Sequence, residues 1–117
     1  MKIAIVGSRT FNNYELLSNT VTSYCDANDI FIKTVVSGGA KGADTLAERF
    51  AEENTLEMKI FHPNWELLGR NACSARNTEI VEFADLVFAF WDGKSPGTKD
   101  SITKTEILQK EVIVTYF

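Results

Sequence analysis

A single α/β domain, built on a mostly parallel sheet of about five strands flanked by helices, is predicted by three observations. Apolar, β-rich runs at 2–6, 30–36, 57–61, 85–90 and 111–117 alternate with segments long enough for helices. Runs such as Leu86-Val87-Phe88-Ala89-Phe90 lack polar alternation, as expected of strands covered by helices on both faces. Ser37-Gly38-Gly39-Ala40-Lys41-Gly42-Ala43-Asp44 joins a β-branched run to a helix-like pattern through a glycine turn. Together they predict a three-layer, Rossmann-like arrangement.

The elements follow in order. Lys2 to Val6 forms a first strand; its apolar run is too short for a signal-peptide core or a membrane span, which points to the cytoplasm. Tyr14 to Ala27 places Leu17, Val21 and Tyr24 or Cys25 on one helical face, and Asp44 to Asn54 does the same with Leu46, Ala47, Phe50 and Ala51. Arg70 to Ala84 gives a third helix, with Cys73, Ile80 and Phe83 inward, and Thr98 to Gln109 a fourth carrying Ile102 and Leu108. No repeat or linker interrupts the pattern.

The bulk composition narrows the function classes. A chain of 117 residues that is 44% hydrophobic and 24% charged can bury a core of its own. Twelve basic against sixteen acidic residues give a net charge of −4, so no overall field draws it to nucleic acid or anionic lipid, and any anion site is local. Cys25 and Cys73 form no CxxC pair and read as small buried hydrophobes. A lone histidine, His62, argues against a His/Cys metal site, so no metal and no cofactor are expected.

In parallel α/β sheets, ligands sit beyond the carboxyl ends of the strands. Here those ends carry Gly7-Ser8-Arg9, Ser37-Gly38-Gly39, His62-Pro63-Asn64-Trp65 and Trp91-Asp92-Gly93-Lys94-Ser95-Pro96-Gly97-Thr98, whereas the opposite ends are ordinary. The glycine loops at 37–44 and 93–98 each precede a helix, so their backbone N–H groups and the helix dipole suit a phosphate, although the same letters serve plain βα turns. Arg9 suits a bidentate phosphate or carboxylate contact, and Ser8 a hydroxyl contact or a turn bond. Lys41 adds local positive potential. Arg76-Asn77 either reaches the pocket or pairs with Glu79 or Glu66. Asp44 and Asp92 would accept from ribose hydroxyls, or cap a helix and form a turn. Trp91 would stack a base; Trp65 reads as closing the edge of the core. His62 reads as a structural donor rather than a general base.

Gly7-Ser8-Arg9-x-Phe11, Ser37-Gly38-Gly39-Ala40-x-Gly42-Ala43-Asp44, Gly69-Arg70, Arg76-Asn77, the run Ala84 to Gly93 and Gly97-Thr98 resemble the short YspA-like branch of the SLOG superfamily, which includes the Lonely Guy phosphoribohydrolases and the DNA-processing protein DprA. The resemblance spans nearly the whole chain. It implies that 1–117 is one nucleotide-binding domain, homodimeric, whose ligand is a nucleoside phosphate, NAD or ADP-ribose. Ligand contacts would come from Gly7, Ser8, Arg9, Ser37, Gly38, Gly39, Lys41, Gly42, Asp44, Arg76, Asn77, Trp91, Asp92, Gly93, Gly97 and Thr98.

Lonely Guy enzymes cleave the N-glycosidic bond of nucleoside 5′-monophosphates using a PGGxGTxxE loop. Arg76 matches their arginine and Gly97-Thr98 their GT, but the loop's glutamate falls on Ser101, with Asp100 one residue earlier. A serine cannot stabilise a cationic sugar as a carboxylate does. The expectation is therefore a small-molecule binding or sensor module without strong catalysis. A phosphoribohydrolase with Arg76 and Asp100 as catalytic candidates is the alternative. Single-strand DNA binding of the DprA type is not expected, because of the acidic balance and the lack of a basic aromatic stripe.

Overall fold

In the computed structural model, which describes residues 1–117, five strands lie parallel in the order β3-β2-β1-β4-β5. They are β1 (Lys2–Gly7), β2 (Thr34–Ser37), β3 (Glu57–Ile60), β4 (Leu86–Trp91) and β5 (Glu111–Tyr116). The helices are α1 (Tyr14–Ala27), α2 (Ala43–Glu53), a single turn α3 (Trp65–Leu68), α4 (Ala72–Phe83) and α5 (Pro96–Ile107). A 3₁₀ turn, Gly69–Asn71, leads into α4.

Strand alternation sorts the core into two layers. From β1 and β4, Ile3, Ile5, Phe88 and Phe90 point to one face and pack with Leu17 and Val21 of α1 and Ala47 and Phe50 of α2. Ala4, Val6, Val87 and Ala89 point to the other and meet Ile80 and Val81 of α4 and Ile102 of α5. The sheet is thus sandwiched, which explains why β1 and β4 read as unbroken apolar runs. Asn13 caps α1 by accepting from the Leu16 N–H at 3.0 Å. Lys110 Nζ donates to the carbonyls of Val81, Glu82 and Ala84 at 2.7–2.8 Å, closing the carboxyl end of α4. No helix is long and apolar enough to cross a membrane.

The structure differs from the sequence expectations in five places. The strand expected over 30–36 begins only at Thr34, because β1 offers its first ladder partner there, Lys2 opposite Thr34. Ile30 and Ile32 instead pack against the core from outside the sheet, and Phe31 is exposed. The expected helix from Arg70 starts at Ala72, and α3, capped by Asn64 accepting from the Leu67 N–H, was not anticipated. The helix expected from Thr98 begins at Pro96, where a ring with φ already set and no N–H suits the first helical position. Cys25 is buried as expected, but Cys73 is only half-buried.

Candidate functional site

The chain leaves β1 with β2 on one side and β4 on the other, so the connections after β1 and β4 diverge and open a crevice beyond their carboxyl ends. That crevice is an inner cavity of about 390 Å³. Its wall takes Gly7, Ser8 and Arg9 from the β1 loop, Asp44 from α2, Arg76 and Asn77 from α4, and Asp92, Gly97 and Thr98 from the β4 loop and the start of α5. An outer cleft of about 410 Å³ adjoins it, sharing Arg9, Ala40, Cys73 and Arg76 and adding Gly38, Gly39, Lys41 and Trp65.

Close backbone approach requires the glycines. A Cβ on Gly42, where φ is +77°, would lie 2.6 Å from the Arg9 carbonyl carbon. A Cβ on Gly38 would lie 2.9 Å from Cζ of Arg76. Only glycine lets the β1 and β2 loops meet and lets Arg76 Nη1 donate to the Gly38 carbonyl at 2.6 Å. Arg76 is 8% exposed, and its Nε donates to Asn77 Oδ1 at 3.1 Å. The ion pairs with Glu66 or Glu79 weighed from the sequence do not form; the chain's two ion pairs are Arg49–Glu53 and Lys104–Asp100. Arg76, Arg9 and Lys41 therefore face the two clefts without a carboxylate partner.

The carboxylates at the site hold loops. Asp44 Oδ2 accepts from the Ala40 N–H at 3.1 Å. Burial pushes its carboxyl above the usual range, partly offset by the Ser37 hydroxyl, the Ala40 amide and the Arg76 charge. Ser37 Oγ is itself fully buried and, though near Asp44, makes no hydrogen bond of normal geometry. Asp92 Oδ1 accepts from the Lys94 and Ser95 N–H groups at 2.8 Å each, and these bonds hold its carboxyl below the usual value. Ser95 Oγ donates to Ser8 Oγ at 2.8 Å, latching the β4 loop to the β1 loop.

Several predicted contacts lie away from the inner cavity. Ser37 and Gly42 sit behind the loop they shape, and Gly93 turns the β4 loop at φ +81°. Trp91 packs on Tyr116, and its indole N–H donates to the Ser95 carbonyl at 3.1 Å. Asp100 faces α4, accepting from Asn77 Nδ2 at 3.1 Å and pairing with Lys104 at 2.9 Å, while Ser101 takes the place on the cavity wall. His62 covers Gly39, its Cε1 3.0 Å from where a Cβ there would sit. Trp65, expected at the core edge, is 57% exposed and lines the outer cleft, because the unforeseen α3 carries it there. Ser95, Ser101, Thr10 and Cys73 also line the inner cavity, and none of them is among the contacts expected from the sequence. For Ser101, only the spacing from Gly97-Thr98 carried a signal.

Three comparisons bear on this geometry. A family model described as YspA, cpYpsA-related SLOG family matches residues 1–67. The Gene 61 protein of Mycobacterium phage D29 is 29% identical over 111 residues, covering 90% of this chain and 88% of that protein. DNA processing protein A from Helicobacter pylori, solved for its single-stranded DNA binding mode, matches 97% of this chain with a TM-score of 0.72 at 21% identity. This chain spans 64% of that one.

The last comparison corrects two expectations, a small nucleotide-type ligand and the exclusion of nucleic acid. A protein of this fold is described by its binding of single-stranded DNA, so the exclusion does not stand. The sensor reading and its phosphoribohydrolase alternative both presuppose a free nucleotide and are set aside with it. The physical reason lies in distribution. A net charge of −4 sums over the whole chain, whereas Arg9, Lys41 and Arg76 gather unpaired at one end of the sheet beside the exposed Trp65. These side chains are far apart along the sequence and adjoin only in space. With the family model covering more than half of the chain, the protein belongs to the YspA, cpYpsA-related SLOG family.

Proposed function

We propose that residues 1–117 act as one unit that binds single-stranded nucleic acid, DNA in the first instance, along the trough formed by the inner cavity and the outer cleft. The observation that carries this reading is the set of three cations, Arg9, Lys41 and Arg76, that line a continuous trough with no carboxylate partner. Phosphates of a strand would neutralise them and take hydrogen bonds from the glycine loops at 38–42 and 97–98. Trp65 offers a face on which a base stacks whatever its identity, and the fold relative from Helicobacter pylori supports the choice of a single strand. A duplex keeps its bases stacked inside and cannot use that face.

The same reading places the protein in the cytoplasm, in keeping with its two free cysteines. It also includes a homodimer, for which the edge strand β5, with half-buried Val112, Ile113 and Val114 and exposed Tyr116, leaves an unpaired ladder.

The test is fluorescence anisotropy of a labelled oligothymidylate against rising salt. Three phosphate contacts by these cations predict a log–log slope of about −2 for a single strand. Trp65→Ala should weaken binding by roughly tenfold, the usual worth of one stacked base. A slope near zero, or equal affinity for duplex and single strand, would overturn the reading.

A further inference from the structure

We propose that the inner cavity takes a phosphorylated strand end, a terminal phosphomonoester, in preference to a phosphodiester within the strand. This deepens the single-strand reading and rests on it.

The first ground is that the elements flanking the cavity are tied to one another. On one side, the β1 and β4 loops are sealed by Ser95 Oγ donating to Ser8 Oγ and by the Asp92 N–H donating to Ser8 Oγ at 3.3 Å. On the other, α4 and α5 are sealed by Asn77 Nδ2 donating to the Gly97 carbonyl and to Asp100, and by Lys104 Nζ donating to the Ser74 carbonyl at 2.7 Å. Val6 and Ile80, both at least nine-tenths buried, line it from the core side. Arg9, Ala40, Cys73 and Arg76 line both cavities, so the two communicate there. A strand lying along the outer cleft could place its end in the inner cavity past these residues, whereas an internal phosphate there would need the chain to pass on between the tied loops and helices.

The second ground is the donor set. Ser95 makes no side-chain cap on α5, and the N–H groups of Gly97 and Thr98 have no partner in the chain. The Thr98 side chain lines the cavity, is 5% exposed, and its hydroxyl makes no hydrogen bond. Arg76 brings a charge that is nine-tenths buried and makes no direct ion pair, although it acts on the Asp44 carboxyl. These are two amides, a hydroxyl and a guanidinium converging at a helix N-terminus. A terminal phosphate presents three free oxygens and close to two negative charges at neutral pH, whereas an internal diester presents two oxygens and one charge.

The experiment compares one fluorescent oligothymidylate in three forms at fixed salt: with a 5′-phosphate, with a 3′-phosphate, and with hydroxyls at both ends. One phosphorylated form should bind about tenfold more tightly than the unphosphorylated strand, and which one it is identifies the end that inserts. The preference should grow between pH 5.5 and 7.5, as the second phosphate proton leaves near pH 6. Thr98→Val should reduce the ratio toward one. Thr98→Ser, which keeps the hydroxyl, should hold the ratio, and a ratio lost in it as well would overturn the role given to that donor. Lys41→Ala, in the outer cleft, should weaken all three forms alike and leave the ratio unchanged. Equal binding of all three forms would overturn this inference and leave the single-strand reading standing; no binding of any form would overturn the single-strand reading itself.

Discussion

Gly38→Ala tests whether the buried guanidinium of Arg76 organises the trough. The new Cβ would fall against Nη1 and lie 2.9 Å from Cζ and 3.0 Å from Cδ of Arg76. Real Cβ atoms do not tolerate such distances, so the guanidinium must leave the Gly38 carbonyl and lose its 2.6 Å hydrogen bond. Arg76 cannot simply swing into water, since only 8% of it is exposed. Overpacking and a lost charged hydrogen bond together cost about 1–3 kcal/mol. For a chain of this size that corresponds to a fall in Tm of about 4–12 °C. Gly97→Ala is the control: nothing lies within 4 Å of its Cβ, and it should change stability by less than about 1 kcal/mol. Urea denaturation followed by circular dichroism measures both, and anisotropy with the unphosphorylated strand should show Gly38→Ala weakened about tenfold. A Gly38→Ala protein as stable and as tightly binding as the parent would refute the role given to Arg76.

Further outcomes follow from the same geometry. Gly42→Ala should cost about 2 kcal/mol or more in urea unfolding, because φ of +77° is strained for alanine and its Cβ would meet the Ser8 and Arg9 backbone, which cannot move aside. Arg9→Ala and Lys41→Ala should each reduce the magnitude of the salt slope of strand binding by about 0.7, read by anisotropy at several salt concentrations. Burial raises the Asp44 carboxyl above 3.8 in the folded state, so the folded chain binds the extra proton and stability falls as pH rises from that value through the folded one. Asp44→Asn should remove that fall, seen as a stability difference that widens in its favour with rising pH. Asp92 has the opposite sign: its loop bonds contribute stability above the unfolded value that is lost as pH drops through the lowered folded one, and Asp92→Asn should flatten this acid limb.

The sequence carried the fold wherever one residue type answers to one physical demand. Ile3, Ala4, Ile5 and Val6 are apolar on both faces because helices cover both, and that pattern is legible without coordinates. Gly38 and Gly42 stood out by position, although the reason each must be glycine, a guanidinium in one case and the Arg9 backbone in the other, appears only when the loops meet. The start of β2 was not legible, since Ile30 and Ile32 are as β-prone as Val35 and only the end of β1 decides where pairing begins. Neither was Trp65: a short helix capped by Asn64 turns it toward the cleft, and four residues are too few to show a period. The cation cluster was hidden for a different reason. Arg9, Lys41 and Arg76 are far apart along the chain, and composition averages them with sixteen acids, of which only Asp44 and Asp92 line either cavity.

The register of α5 decides what the inner wall can do. With Pro96 at the first helical position, Ser101 comes round to the cavity, and Asp100, one position earlier, turns to Asn77 and Lys104. The shift of register that would bring Asp100 inward would have to break both contacts and move Pro96 out of the position its ring favours. The two carboxylates that do line the cavity, Asp44 and Asp92, each accept from backbone amides of the loops they belong to. Every acid near the site is thus engaged in shaping it, while the cations, the Thr98 hydroxyl and the first amides of α5 are left open. A wall that ties up its acceptors and exposes its donors is matched to an anion, and the outer cleft, with Lys41 and Trp65 along it, extends that match beyond a single phosphate to the strand that carries it.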